Sequence, residues 1–229
     1  MTSNTLHAYL GHEVQPLGPV TYMGQKTEVT EEPKPKRRQF VVGIDLGQVT
    51  DFTAIVVLDV NPGPPPTYDC RHLERVPLGT PYPTQIDRIV SLVADLKSMG
   101  TVRIVVDATG VGRPVVDSLR LRVGGLTAVT ITGGNAVSPK KKGEICVPKR
   151  DLVSAVKLAL QNGRLSVAKV MPESETLVRE LLAFQAKITT AGHDQYEASW
   201  REGEHDDLVL ALALAVWQVT SGPRARLVV

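Results

Sequence analysis

Acidic residues at the borders of apolar runs are the side chains of this sequence best suited to chemistry. Asp45 and Asp107 each end an apolar run, and the pair Asp206 and Asp207 opens another that continues to Ala215. A carboxylate that emerges from such a frame loses hydration, and several that converge repel one another unless a cation neutralises them. The pattern therefore predicts a metal-dependent enzyme.

Oxygen donors of this kind favour a hard metal ion. Carboxylates suit Mg²⁺ or Mn²⁺ better than zinc, and acids from three separate elements can hold two ions about 4 Å apart. Two such ions activate a water molecule and stabilise the leaving oxygen of a phosphodiester. We therefore expect hydrolysis of a nucleic-acid backbone with Mg²⁺ or Mn²⁺ as cofactor, and no nucleotide cofactor.

Each acid also has an ordinary structural interpretation. Asp45 could be a turn residue, and Asp107 could cap the glycine-rich loop that follows it. Acids at a helix N-terminus, such as Asp206 and Asp207, are common capping residues, so one of the pair can do only that. We favour function for Asp45 and Asp107 because both stand at strand ends, where open α/β sheets place their sites.

Two further polar residues near these acids receive weaker assignments. Asp51 is most simply a hairpin residue, and His205 is more often a residue beside a metal site than a ligand in it. We expect both at the rim of the site.

Two segments have the residue types for contacts with a nucleic-acid backbone. The loop after Asp107 leads backbone N–H groups into a helix N-terminus, and the lysine-rich segment 133–143 has the composition of a projecting loop or hairpin. A tight glycine turn and a solvated charge run explain the same residues without function. The predicted DNA contacts are Gly110, Gly112, Arg113, Lys140, Lys141, Lys142, Lys149 and Arg150.

Hydrophobic periodicity predicts the elements that hold these residues. Three apolar stretches at 39–46, 52–60 and 67–76 are typical of an antiparallel meander, and alternating helices and strands follow. This order implies an α/β domain with a mixed sheet and helices on both faces. The predicted helices run from Thr84, which forms a capping pair with Asp87, to Gly100, from Pro114 to Arg122, from Lys149 to Gln161, from Glu173 to Ile188 and from Asp207 to Val219. The later predicted strands are 102–106, 126–131 and, in the core or at an edge, 164–169.

Composition limits the class of protein and the compartment in which we expect it. The chain has 229 residues, 42% of them hydrophobic, and a net charge of +2 that is too small to prove a polyanion partner. Two cysteines are too few for a disulfide framework or a thiolate zinc site, and no apolar run has membrane-spanning length. We expect a cytoplasmic protein with a flexible arm over residues 1–39, one domain over 40–222 and a tail over 223–229.

The motifs, taken in order, resemble the RNase H-like nuclease domain of viral large terminase subunits. The residues that carry the resemblance lie at 43–47 with 51–55, at 106–117, at 147–153 and at 205–215. The resemblance implies a sheet of order 3-2-1-4-5, which makes the first and fourth strands neighbours. It also implies an endonuclease that cuts double-stranded DNA during genome packaging, with Asp45, Asp107 and Asp207 as catalytic metal ligands and Asp206 assisting.

A complete large terminase also carries an ATPase motor, for which 229 residues leave no room. The chain could therefore be an excised domain, a separately encoded nuclease or a relative used for another purpose. The resemblance implies a separate packaging ATPase, a small terminase or a portal as candidate protein partners.

Three other assignments remain open. A Holliday-junction resolvase would use the same fold and metals on branched DNA. A phosphotransfer protein of the actin and sugar-kinase class also begins with Gly-Ile-Asp-Leu-Gly, but needs a longer chain. A DNA-binding scaffold could keep the fold without catalysis.

Overall fold

A computed structural model describes residues 37–47, 50–109, 113–190 and 206–220. These residues form eight strands and five helices. The strands are β1 (Arg38–Asp45), β2 (Thr53–Asn61), β3 (Thr67–Val76), β4 (Gly100–Asp107), β5 (Leu126–Thr132), β6 (Ser138–Lys141), β7 (Glu144–Pro148) and β8 (Leu165–Val167). The helices are α1 (Tyr82–Met99), α2 (Arg113–Val123), α3 (Lys149–Gln161), α4 (Ser174–Thr190) and α5 (Asp207–Thr220).

All eight strands join one mixed sheet with the order β6-β7-β5-β4-β1-β2-β3-β8. The meander β1–β2–β3 is antiparallel, whereas β4 pairs parallel with β1, β5 with β4, and β7 with β5. The predicted order 3-2-1-4-5 is therefore found at the centre of the sheet.

Short strands extend the sheet beyond this predicted centre on both sides. The lysine-rich segment forms the hairpin β6–β7 outside β5, and the stretch 164–169 supplies β8 as an edge strand beside β3. Neither strand has a strong sequence signal, because every residue of β6 is exposed and β8 has three residues. The hairpin and the edge position were each one of two alternatives that the sequence left open.

Two layers of helices cover the sheet. The helices α3, α4 and α5 share one apolar cluster with one face of the sheet, while α1 packs on β4 and α2, and α2 packs on β5. The last helix, α5, is buried nearly all round: every residue from Asp207 to Gln218 is buried. None of the helices in the described part of the chain is long and apolar enough to cross a membrane.

A glycine in β1 lets α5 lie directly against the sheet. A Cβ atom at Gly43 would stand 2.0 Å from the carbonyl oxygen of Ala211 and 2.9 Å from the Cβ of Ala215. No side chain fits there, so the sequence Gly-Ile-Asp-Leu-Gly places the central strand and the last helix at backbone contact. This contact sets where α5 begins relative to the end of β1.

The start of α1 differs from its prediction. The helix begins at Tyr82 with Pro81 as its N-cap residue, no side chain donates or accepts a capping hydrogen bond, and Thr84 lies inside the first turn. The predicted Thr84–Asp87 capping pair is therefore wrong. Proline at the first helical positions starts the helix instead, because it has a suitable φ and no N–H that needs a partner.

The described chain begins close to the predicted domain start. Strand β1 starts at Arg38, whose guanidinium donates to the buried carboxylate of Asp59. The predicted arm falls outside the described residues up to residue 36, as does the tail over 223–229. Both remain predictions.

Candidate metal centre

Asp45 and Asp107 lie side by side at one edge of the sheet. Asp45 ends β1 and Asp107 ends β4, and these parallel neighbours pair with Ile44 opposite Val106. Adjacent strands are about 5 Å apart, so the two residues are one strand spacing from each other. The sequence expectation that both acids emerge together at the carboxyl ends of neighbouring strands agrees with this register.

Both acids also point to the face of the sheet that α5 covers. Side chains alternate between faces along a strand. Val41 in β1 and Val105 in β4 belong to the cluster that contains α5, so Asp45 and Asp107 share that face with them. Buried Asp206 and Asp207 enter from the N-terminus of α5, and carboxylates from three elements thus approach one region.

The charges of neighbouring acids act on Asp45. Burial raises the pKa of Asp45 well above its usual value, and the charges of Asp107, Asp207, Asp51 and Glu180 raise it further. A carboxyl group whose neighbours are four other acids is stable as an anion only when a cation offsets their repulsion. The centre therefore has the electrostatic character expected of a metal site.

One oxygen of Asp107 holds the loop that follows β4. Asp107 Oδ1 accepts hydrogen bonds from the backbone N–H of Thr109 at 2.8 Å and from its hydroxyl at 2.5 Å, and Ile131 N–H donates to the same hydroxyl oxygen at 2.8 Å. The loop-capping interpretation of Asp107 is therefore correct for this oxygen. Loop capping is compatible with a functional role for Asp107, because these bonds fix its carboxylate between β4 and β5.

The turn after Asp45 is held by a buried polar network. Gln85 of α1 donates from Nε2 to the carbonyl oxygens of Gly47 at 3.0 Å and Thr80 at 2.7 Å, and its Oε1 accepts from the Thr53 hydroxyl at 2.6 Å. The Thr53 hydroxyl oxygen also accepts from Gly47 N–H at 2.9 Å. These bonds connect the first residues of the β1–β2 turn to β2 and α1.

Asp51 lies in the turn between β1 and β2, and its assignment to the rim of the site stays a prediction. It is exposed in the β1–β2 turn, where its carboxylate accepts from the Thr50 hydroxyl at 3.3 Å, and its charge still acts on Asp45. His205, the other predicted rim residue, lies outside the described residues.

Glu180 is the acid that the sequence interpretation missed. It lies in α4, is 6% exposed, and its Oε2 accepts a hydrogen bond from Val209 N–H in α5 at 3.0 Å. Burial raises its pKa to about 7, and Asp207 adds to the rise, whereas the N–H groups of Val209 and Leu208 and the charge of Arg75 oppose it. The available signal was a glutamate between Leu177 and Leu181, on the apolar face of a predicted helix.

The predicted DNA contacts that the structure describes lie on the side of the sheet beyond β5, two and three strands from β4. Lys149 and Arg150 open α3 directly after β7, whose carboxyl end faces the same edge as those of β1 and β4. Lys140 to Lys142 lie at the turn of the hairpin, three strand spacings or roughly 15 Å from β4. Gly110 and Gly112 lie outside the described residues, and only the backbone of Arg113 is described, at the first position of α2.

Bonds within the protein hold several of these basic side chains. Lys140 Nζ donates to the Thr130 hydroxyl at 3.2 Å, and Lys141 Nζ lies 3.1 Å from a carboxylate oxygen of Glu144. Arg150 donates to the side-chain oxygen of Asn135 at 2.9 Å. All three basic residues remain exposed on the surface.

The donor chemistry of the centre fits hard divalent ions. Within the described ranges, no three acidic, histidine or cysteine side chains already form a group that could hold a metal ion. The donors are all oxygens, as hard divalent ions prefer. Glu180 Oε1 is buried without a hydrogen-bond partner among the described residues, so it is available to interact with a cation.

The architecture of the sheet and its helices is the RNase H-like fold. The chain belongs to the terminase RNaseH-like domain family, whose model matches residues 42–218. Asp45, Asp107 and Asp207 all fall within the matched range. The predicted fold and the resemblance to terminase nucleases are thus confirmed.

Several solved structures are similar to this chain. The human cytomegalovirus terminase nuclease domain, soaked with Mn, has a TM-score of 0.52 and 11% identity, over 83% of this chain and 88% of that one. The large terminase nuclease from thermophilic phage G20c has a TM-score of 0.49 and 23% identity, over 79% of this chain and 82% of that one. Thermus thermophilus RuvC has a TM-score of 0.40 and 16% identity, over 79% and 92%. No curated protein matches the chain.

Proposed function

We propose that this protein is a divalent-metal-dependent endonuclease that cuts double-stranded DNA, as the nuclease of a viral genome-packaging terminase. The observation that carries the proposal is the approach of acids from β1, β4 and α5 at one edge of the sheet. Membership of the terminase family supports the choice of chemistry.

Asp45, Asp107 and Asp207 are the residues that would hold the metal, with Asp206 assisting. Mg²⁺ or Mn²⁺, when bound there, would supply the Lewis-acid polarisation that phosphodiester hydrolysis requires. The protein's own part is to hold the acids in place. Thr109 fixes Asp107, and the Gln85 network fixes the turn after Asp45.

Basic residues beyond β5 would hold the DNA backbone. Lys149 and Arg150 follow β7 past Ile145, the residue level with Val129 and Asp107, and would contact phosphates on that side of the acids. Lys140, Lys141 and Lys142 lie near the other end of β7 and would contact phosphates there. An acidic centre repels a polyanion, and these cations together with the bound metal offset that repulsion.

Plasmid digestion with the purified protein tests the proposal. We expect nicked and linear products with Mn²⁺, none with EDTA, and none from an Asp45→Asn variant. The matched control is Asp95→Asn on the exposed face of α1, which should cut like the wild type. A wild-type protein that binds DNA but cuts no plasmid in the presence of Mn²⁺ would contradict the proposal and favour a DNA-binding scaffold.

The substrate and the setting belong to the same proposal. A four-way junction tested beside linear duplex separates the two nuclease alternatives, and preference for the junction would favour a resolvase. For a terminase nuclease we expect action in the cytoplasm of a host cell, with a packaging ATPase, a small terminase or a portal as partner. Co-purification with those proteins would test the assembly.

A further inference from the structure

We infer that Glu180 is a positioning residue of the metal centre, which holds the first turn of α5 through its hydrogen bond and adds its negative charge to cation binding. The inference rests on the proposed function and extends it to a residue outside the predicted acid set. It stands on the placement of one buried carboxylate between α4 and α5.

The hydrogen bond of Glu180 reaches the part of α5 that carries the acids. The first N–H groups of a helix lack partners within it, and a side chain that accepts from them fixes the first turn. Glu180 Oε2 accepts from Val209 N–H at 3.0 Å, two residues after Asp207. The cap comes from 29 residues earlier in the chain, so it connects α4 to the site rather than serving α5 alone.

A second contact fixes α5 farther along. The carbonyl oxygen of Ala211 lies against Gly43 of β1, at a distance that no side chain at position 43 would permit. Glu180 at the first turn and Gly43 one turn later together set the position of Asp207 relative to Asp45. Loss of the Glu180 contact would leave the acid-bearing end of α5 with less support.

A neutral side chain could make the same cap at lower electrostatic cost. Glutamine also presents an oxygen to Val209 N–H, and it would not add a charge beside Asp45 and Asp207. The chain instead keeps a carboxylate that is 6% exposed, with Oε1 buried and without a hydrogen-bond partner among the described residues. Ionisation of a carboxyl group buried in this way is favoured by a nearby divalent cation.

Arg75 supplies part of the compensation in the absence of metal. It is a charge partner of Glu180, while its own guanidinium pairs with Glu173 at 3.0 Å and stacks over the Phe52 ring at 4.6 Å. Arg75 is therefore anchored by two other groups. One shared arginine does not neutralise the several acids that act on Asp45.

Calorimetric titration of Mn²⁺ into Glu180→Gln separates the charge from the cap. The variant keeps the shape and the oxygen that accepts from Val209, so a purely structural role predicts unchanged affinity. We expect Mn²⁺ affinity to fall about tenfold, the lower end of the range for groups that support metal ligands. The melting temperature in EDTA should not fall, because a neutral amide that can make the same hydrogen bond replaces a buried carboxyl group. Glu175→Gln, exposed on the same helix, is the matched control and should bind like the wild type.

Glu180→Asp provides the complementary test. It keeps the charge but shortens the side chain, so its Mn²⁺ affinity should lie between those of the wild type and Glu180→Gln. Unchanged affinity in Glu180→Gln, or weaker binding in Glu180→Asp than in Glu180→Gln, would overturn the inference while leaving the nuclease proposal intact. A wild-type protein that binds no Mn²⁺ would overturn both.

Discussion

The candidate metal centre and the β6–β7 hairpin differ in how firmly the protein holds their side chains. The acids extend from the most buried elements of the domain: Asp107 is 8% exposed and Asp207 is 6% exposed. All four residues of β6 are exposed, and its lysines are held by single contacts with Thr130 and Glu144. The core thus fixes the position of the acids, whereas little fixes the lysines.

This difference indicates a division between chemistry and affinity. Metal ligands must be placed to within a fraction of an ångström, and a packed core provides that precision. Contacts with DNA phosphates are long-range and tolerant of position, so an exposed hairpin suffices for them. The two properties should therefore respond to different mutations.

The largest effect is expected from the acid pair. Asp207→Asn should lower Mn²⁺-dependent cleavage by more than about 100-fold, beyond the usual range for supporting residues, while Asp206→Asn should lower it by about tenfold. The reason is that Asp207 acts electrostatically on Asp45. Single-turnover cleavage rates measure both values. The reverse ranking would assign the direct contact to Asp206.

The next largest effect tests whether the core positions the acids. Gly43→Ala should destabilise the protein by about 3 kcal/mol, because its Cβ would stand 2.0 Å from the Ala211 carbonyl oxygen and force α5 outwards. Mn²⁺ affinity should fall with it, since α5 carries Asp207. Urea denaturation and calorimetry measure the two quantities.

The control for this variant is Gly125→Ala. A Cβ there would meet no atom within 4 Å, so stability should change little. If Gly43→Ala bound Mn²⁺ as tightly as the wild type, the position of α5 would not control the metal centre.

The sequence predicted the parts of the molecule that have a local signature. Asp45 and Asp107 end strongly apolar strands, and α5 is apolar all round, so both the central elements and the acids could be located. The predicted start of α1 was wrong. Thr84 and Asp87 fit a capping pattern, but proline also starts helices, and here Pro81 and the proline that follows it do so.

Contacts between distant residues had no such signature. Glu180 meets Val209 across 29 positions, and Gln85 meets Gly47 across 38. A polar residue on an apolar helix face suggests a buried partner, but only the packing of α1 and α4 identifies which one. Likewise, the composition of the lysine segment did not show that the hairpin would lie three strands from Asp107.

A smaller effect is expected at the hairpin itself. Replacing Lys140, Lys141 and Lys142 together with alanine should weaken binding of duplex DNA by about tenfold and reduce the slope of its salt dependence by at most about three. Mn²⁺ affinity and thermal stability should not change, because these side chains are exposed. Fluorescence anisotropy at several salt concentrations measures the binding.

The companion variant for the hairpin is Lys149→Ala together with Arg150→Ala. These residues stand at the edge of the acids, so they should affect cleavage rate as well as affinity. Equal loss of cleavage at saturating DNA in both variants would contradict the division between the two regions.

The last prediction concerns the turn that follows Asp45. Gln85→Ala should destabilise the protein by about 1–3 kcal/mol, because the Gly47 carbonyl and the Thr53 hydroxyl each lose one of their partners in a buried place. Gln161→Ala at the exposed end of α3 is the matched control and should be neutral. Thermal melts of the two variants give the difference. A Gln85 variant as stable as the control would mean that water replaces the side chain, and that β1 alone holds Asp45 at the sheet edge.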